Sequence, residues 1–460
     1  MVAGETYRNA KVMKFHIVTF GCQMNVHDSQ WLARALEARG WEQAEEDEAS
    51  VFVINTCSVR DKPEQKVYSE LGRLARHLKR DPQMFAAVGG CVAQQIGKGF
   101  FNRFPFVRLV FGTDGIANAP NALERLAEGA EERVALLDFV DLYPERELAA
   151  DGTVTMPGTR QAFVNIMQGC DNFCAYCIVP YTRGRQKSRK PDAVIEECRA
   201  LANKGVRELT LLGQNVNSFG MDSGGTGVSF AELLREVAAI DGIERLRFTT
   251  SHPKDIADEV IAAFGELDNL CPSLHLPMQA GSDAVLKKMR RKYDMKRYLG
   301  IVDALREVRP DISLTTDLIV GFPGETDEDF EQTLAMVKRV GFESSFSFKY
   351  SDRPGTASVN MEPKVDPEIA QSRLQRLQEL QNTITKESLK KLEGRETTVL
   401  VEGKSRRQED SAVSWRGRDP AGRVVNFTSR RDGLTGMIVP VRIAQAKKHS
   451  LVGERTGEPW

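Results

Sequence analysis

The chain has 460 residues, 63 Lys and Arg against 64 Asp and Glu, eight cysteines and a mean hydropathy of −0.36. That length suits two or three domains with separate cores, and the balanced charge confines any nucleic-acid surface to a local patch. No apolar run approaches the ~20 residues of a membrane span, and residues 1–14 lack the apolar stretch of a signal peptide. The expectation is a cytoplasmic protein without membrane association, whose thiols serve metal ligation rather than disulfides.

Residues 12–130 read as alternating strand and helix. Lys14 to Phe20 is a strand, and Ser29 to Arg39 is a helix with Trp31, Leu32, Ala35 and Leu36 on one face. Val51 to Ile54 and Met84 to Val88 are short apolar strands, separated by a charged helical stretch from Pro63 to Arg80. This rhythm predicts a three-layer α/β domain around a parallel sheet. Cys22, Cys57 and Cys91 each follow one of those strands, 35 and 34 residues apart. The carboxyl ends of parallel strands are where open sheets form binding crevices. Three thiols at one sheet edge therefore make a candidate metal site, although no local motif links them.

Residues 131–160, with Pro144, Gly152, Pro157 and Gly158, read as a linker. From 161 the rhythm resumes, with six candidate strands: 162–168, 208–212, 245–250, 273–277, 313–320 and 344–349. Helical patterns fill the gaps at 191–204, 229–239, 255–266, 282–307 and 326–340. Six units fall short of a full eight-stranded barrel and predict an open, partial (β/α)6 one.

Cys170-Asp-Asn-Phe-Cys174-Ala-Tyr-Cys177 follows the first of these strands, at the face where barrel sites are built. A cuboidal iron–sulfur cluster takes one thiolate per iron. Three cysteines leave one iron open to a small molecule, as catalytic metal sites keep a free position. A zinc knuckle is the bland alternative. No histidine lies near in sequence to complete it, the nearest being His77 and His252. Cys198 and Cys271 match no ligand pattern and read as ordinary semi-buried thiols.

Residues 366–392 carry long-helix periodicity. Residues 391–455 then turn strand-like and basic, with 14 Lys and Arg against 8 Asp and Glu. Stretches 397–401, 424–427 and 437–444 read as strands of a small β-barrel. Arg406, Arg407, Arg416, Arg418, Arg423, Arg430, Arg431, Lys447 and Lys448 crowd its loops. Clustered cations on a small barrel are a nucleic-acid footprint, with a solvated charged surface as the alternative.

The C-x3-C-x2-C spacing with Tyr176 before its last cysteine resembles the signature of the radical S-adenosylmethionine (SAM) superfamily. The whole chain resembles the methylthiotransferases, over roughly residues 12–455. Gly21 to Ser29, Phe348 to Thr356 and Arg423 to Phe427 are similar to the MiaB-type branch that modifies tRNA. The resemblance implies an N-terminal methylthiotransferase domain at 12–130, a radical SAM domain at 161–390 and an RNA-binding TRAM domain at 391–455. It implies two [4Fe-4S] clusters, one on Cys170, Cys174 and Cys177 and one on Cys22, Cys57 and Cys91. The first would cleave SAM to a 5′-deoxyadenosyl radical, and the second would hold the sulfur to be transferred. Two SAM would be consumed per product.

The implied substrate is tRNA carrying N6-dimethylallyladenosine immediately 3′ of the anticodon, methylthiolated at C2. The implied partners are the tRNA anticodon loop and an electron donor such as flavodoxin or ferredoxin, with the enzyme a monomer. Sister substrates, threonylcarbamoyladenosine in tRNA or ribosomal protein S12, stay open, as does a non-catalytic RNA-binding protein with structural clusters. Gln214, Asn215, Ser251, Gln279 and Asp317 sit at or near strand ends as candidate SAM contacts. Gly321 to Gly324 would allow close backbone approach to adenine or ribose. For each polar residue the competing role is a helix cap or turn. The run from Arg183 to Lys190 carries five cations that could meet RNA backbone or the SAM carboxylate.

Overall fold

The computed structural model describes residues 12–58, 63–78, 83–146, 158–405 and 413–460; Arg406, Arg407, Gly152 and Pro157 fall outside them. The chain divides into two compact units, Met1–Met156 with Ile178–Arg185, and Pro157–Cys177 with Gln186–Trp460. The first unit thus claims a segment from inside the expected radical SAM domain. The second contains both that domain and the C-terminal barrel.

The first unit is built on a parallel sheet in the order Glu42–Gln43, Lys14–Phe20, Val51–Thr56, Phe85–Gly90, Val107–Phe111, Val134–Leu136. Alternate side chains of its central strands feed two separate cores. Val51, Val53, Phe85 and Ala87 pack with Trp31, Leu32 and Leu36 on one face. Phe52, Ile54, Ala86 and Val88 pack with Leu71, Leu74 and Phe100 on the other. That arrangement is the predicted three-layer α/β fold, with strands buried on both faces. Two boundaries differ from expectation. The first helix spans Gln23–Glu37 and starts directly after Cys22, and the sheet reaches Leu136, inside the stretch read as linker.

Gly90 lets the sheet close beside the cysteines. It has φ +89, and a Cβ there would stand 2.3 Å from the Thr56 carbonyl oxygen. Gly90→Ala should therefore cost about 1–3 kcal/mol in backbone strain alone, read as a lower urea midpoint for the first unfolding transition. An unchanged midpoint would show that the neighbouring strands yield freely.

In the second unit, Gln161–Asn165, Glu208–Leu212 and Arg245–Phe248 form one parallel sheet, and Ser273–His275, Ser313–Val320 and Ser344–Lys349 form another. An isolated bridge from Leu246 to Leu270, three residues before Ser273, brings the edges of the two three-stranded sheets together. One apolar core, with Phe264, Tyr298, Phe322, Phe330 and Phe342 fully buried, lies between the strands and their helices. Cys198 and Cys271 are buried, at 0% and 3% exposure, rather than semi-buried. The single helix expected over 282–307 is two, Asp283–Lys288 and Met295–Val308.

The helix Pro367–Lys390 leads into a closed barrel of five strands: Glu396–Lys404, Val413–Arg418, Val424–Ser429, Ile438–Ala446 and Leu451–Arg455. Two of these, Val413–Arg418 and Leu451–Arg455, escaped the sequence pattern. The barrel is tied to the amino-terminal ends of the parallel strands. Arg245 donates to the Arg418 carbonyl at 2.9 Å and to the Thr398 carbonyl at 2.9 Å, and Arg247 donates to the Asp419 carbonyl at 3.1 Å. Arg423 reaches Glu343 at 3.0 Å and Asp419 at 3.2 Å, so it serves this junction rather than a nucleic-acid face. Arg430, Arg431, Lys447 and Lys448 are exposed.

Candidate active site and its cysteines

Each unit carries three cysteines at the carboxyl ends of its own parallel strands. In the first, Cys22 precedes the Gln23–Glu37 helix, Cys57 follows Val51–Thr56, and Cys91 opens the helix Cys91–Ile96. A Cβ on Gly21 would stand 2.6 Å from Cys57 Cβ, so glycine is what allows these two turns to meet. Cys22 and Cys57 are hydrogen-bonded through their side chains, which lowers the Cys22 pKa to about 5; burial opposes the shift and Arg183 assists it. A thiolate at a helix N-terminus beside a cation is the usual form of a metal-binding or reactive cysteine.

Arg183 comes from the segment Ile178–Arg185 and is 3% exposed. Its helix, Val179–Arg183, packs on Cys91–Ile96. Burial works against its charge, but Cys91, Asp28, Cys22 and Cys57 outweigh it and hold the guanidinium firmly protonated. Asp28 lies 3.8 Å from Arg183 and 2.7 Å from Arg146. One buried cation is thus shared by all three thiols and a carboxylate.

In the second unit, the loop holding Cys170, Cys174 and Cys177 is fixed by groups that spare the thiols. The Gly169 N–H donates to Gln214 Oε1. Asn172 donates to Asp255 Oδ2 at 3.2 Å, and Asn215 donates to the same oxygen at 2.7 Å. Cys174 is the most enclosed of the three, at 9% exposure. Arg291 Nη1 donates to its sulfur at 3.4 Å, and His252 Nε2 stands 3.8 Å away. Burial pushes the Cys170 pKa up to about 11, with the charges of Cys174, Asp255 and Asp171 adding to the rise. Cys22 and Cys170 are therefore shifted in opposite directions.

The candidate SAM contacts scatter over this face. Gln214 is committed to the cysteine loop, as above. Asn215 Oδ1 and Ser251 Oγ are buried and have no hydrogen-bond partner among the described residues. Gln279 has φ +70; its N–H donates to the Asp317 carbonyl and its carbonyl accepts from Ile319. The Asp317 carboxylate pairs with His275 at 3.3 Å, within the strand rather than at its end. Gly321 donates to Glu325 at 2.6 Å, closing the turn after Ser313–Val320. The cation run is largely internal. Arg183, Lys187 and Arg189 are buried, Arg189 against Glu197, and only Arg185 and Lys190 are exposed. Arg291 escaped the sequence reading, and His252 was set aside there as too distant, because 117 and 78 residues separate them from Cys174.

Three family models match the chain: the uncharacterized protein family UPF0004 over residues 14–112, the radical SAM superfamily over 164–337 and the TRAM domain over 390–455. A tRNA-2-methylthio-N(6)-dimethylallyladenosine synthase of Nitratidesulfovibrio vulgaris is 60% identical over 97% of this chain and 99% of its own. One of the same name from Oleidesulfovibrio alaskensis is 58% identical over 96% of this chain and 98% of its own. The chain belongs to the tRNA methylthiotransferase family. Among solved structures, the radical SAM methyltransferase TsrM of Kitasatospora setae matches with a TM-score of 0.56 at 14% identity, over 76% of this chain and 74% of its own. That likeness supports the fold alone.

Membership of a radical SAM family implies a [4Fe-4S] cluster and SAM for this methylthiotransferase. Among the described residues, no three Cys, His, Asp or Glu side chains stand together closely enough to hold one metal ion. A cuboidal cluster makes a different demand, since each thiolate binds a different iron. The Cys170, Cys174 and Cys177 set meets it in donor type and number. The orphaned Asn215 Oδ1 and Ser251 Oγ suit a polar ligand beside that set. The zinc-knuckle alternative needs a ring nitrogen lone pair aimed at the thiols. His252 Nδ1 accepts from the Lys254 N–H at 3.2 Å, so Nε2 carries the proton and faces Cys174 as a donor. Among the described residues, no helix is long and apolar enough to cross a membrane.

Proposed function

We propose that this chain methylthiolates C2 of N6-dimethylallyladenosine immediately 3′ of the tRNA anticodon, consuming two SAM per product. The observation that carries this reading is the pairing of two cysteine triads in one chain, each at the carboxyl edge of its own parallel sheet. The near full-length identity to synthases of that name supports it. Cys170, Cys174 and Cys177 would hold one [4Fe-4S] cluster and Cys22, Cys57 and Cys91 a second. When bound, the first cluster would supply the electron that cleaves SAM into methionine and a carbon radical able to remove an aromatic hydrogen, which acid–base chemistry cannot do.

The chain's own residues do the positioning. Asp255 gathers Asn172 and Asn215 and so sets the cysteine loop against the strand ends. Asn215 Oδ1 and Ser251 Oγ would take polar groups of SAM, with Gln279 and Asp317 further along the same face. Arg183 holds positive charge among Cys22, Cys57 and Cys91, which favours an anionic sulfur donor there. Arg430, Arg431, Lys447 and Lys448 on the C-terminal barrel would meet tRNA phosphates, with a strong salt dependence. A low-potential donor of the flavodoxin or ferredoxin kind would deliver the electrons to a monomeric, cytoplasmic enzyme.

The test is anaerobic incubation of the reconstituted protein with SAM, dithionite and dimethylallylated tRNA, followed by nucleoside mass spectrometry. The expected product is the 2-methylthio nucleoside. Deoxyadenosine without it would reject the substrate in favour of the sister targets, and neither species would reject the enzyme.

A further inference from the structure

Cys174 is the meeting point of two nitrogen donors that no cysteine motif contains. Arg291 Nη1 lies 3.4 Å from its sulfur and His252 Nε2 lies 3.8 Å from it. The His252 tautomer is fixed by the Lys254 N–H on Nδ1, so both neighbours present N–H and neither presents a lone pair. A sulfur faced by two donors is built to accept.

Arg291 is 5% exposed and its other donors are also engaged. Nε donates to the Tyr293 hydroxyl at 3.2 Å, Nη1 also to the Tyr176 hydroxyl at 3.4 Å, and Nη2 to the Pro277 carbonyl at 3.2 Å. None of these partners is a carboxylate, so its charge is not cancelled by a contacting acid and acts on Cys174.

The backbone is bent to place this side chain. Arg290 has φ +57 and Lys292 has φ +59, so Arg291 sits between two left-handed residues. Each such residue costs about 1–2 kcal/mol. All three side chains are good helix formers, and a continuous helix here would carry Arg291 away along the helical surface. Phe173, in the cysteine loop, Thr250, two residues before His252, and Gln279, two residues after Pro277, also have positive φ. These five are all of the non-glycine positive-φ residues among the described residues, and each lies within two residues of Cys174, His252, Arg291 or Pro277, whose carbonyl accepts from Arg291. Strain of this kind persists where tertiary contacts over-determine the geometry, typically at functional sites.

We propose that Arg291 and His252 are positioning residues that set the reduction potential of the cluster through hydrogen bonds to the Cys174 sulfur. This inference rests on the radical SAM reading of the site. Reduction adds negative charge to the cluster, and N–H donors and a nearby cation stabilise that charge; cluster potentials follow hydrogen bonding to sulfur and net charge. The pair makes the cluster easier to reduce.

The test compares the anaerobically reconstituted full chain with its R291Q, R291K and H252F variants. The readout is a potentiometric titration of the reduced-cluster electron paramagnetic resonance signal, choosing the signal that responds to added SAM, together with iron content. R291Q and H252F should retain iron and shift the midpoint to more negative potential, with R291K between R291Q and the parent chain. H252F keeps a ring against Tyr293, so it tests the donor without emptying the site; it and R291K carry the test where R291Q fails to load. Parent-like midpoints in iron-loaded H252F and R291K would overturn the proposal. A parent protein with no SAM-responsive signal would instead overturn the reading of the site itself.

Discussion

Cys174→Ala is expected to abolish reductive cleavage of SAM, with deoxyadenosine falling to the level of a reaction lacking enzyme. Removing an outer-shell partner of a metal ligand already costs about 10–100-fold, so removing the ligand should cost more than that. Cys170→Ala and Cys177→Ala should behave alike. The loop they sit on is held by the Gly169 bond to Gln214 and by Asp255 with Asn172 and Asn215, none of which involves a thiol. Loss of activity should come with lost iron, and Cys174→Ala, which also removes the sulfur that accepts from buried Arg291, should melt lower in the metal-free protein. Deoxyadenosine production by an iron-depleted Cys174→Ala protein would place the radical chemistry elsewhere.

Cys57→Ala should have the opposite pattern, with deoxyadenosine still formed and the methylthio product missing. Cys57 is the leading cause of the lowered Cys22 pKa and the residue that Gly21 makes room for. Its loss removes one thiol and raises the protonation of another. The expected fall in methylthiolated nucleoside exceeds about a hundredfold, measured beside deoxyadenosine in the same digest. Full product from Cys57→Ala would mean that the first unit's cysteines do not carry sulfur.

Much of the frame is legible in the residues, for identifiable reasons. Lys14–Phe20, Glu208–Leu212, Ser313–Val320 and Ser344–Lys349 form the strands their patterns announce: Ser313–Val320 buries alternate side chains, Glu208–Leu212 buries all of them, and Ser344–Lys349 alternates Ser and Phe. Cys57 and Cys91 are readable because each falls just past such a strand. The break between Lys288 and Met295 is not, since Arg290, Arg291 and Lys292 favour helix and tertiary contacts impose the bend. One local signal was available: Asp294 accepts from the Arg297 N–H at 2.8 Å as an N-cap, announcing a new helix. The burial of Arg183, Lys187 and Arg189 was hidden for a related reason, because cations are read as surface until their buried partners Asp28 and Glu197 are known.

The junction of Arg245, Arg247 and Arg423 with the C-terminal barrel bears on substrate size. It sits at the amino-terminal ends of Arg245–Phe248 and Ser344–Lys349, while the cysteine loop follows the carboxyl end of the neighbouring parallel strand Gln161–Asn165. Arg245–Phe248 and Gln161–Asn165, at four and five residues, rise about 13–17 Å at about 3.3 Å per residue. A ligand gripped by the barrel and reacting beside Cys174 must bridge at least that span. A free nucleoside is too small to do so, whereas a folded RNA stem with its loop is not. The fold thereby acts as a ruler, admitting long substrates to tight binding and leaving loose bases unheld.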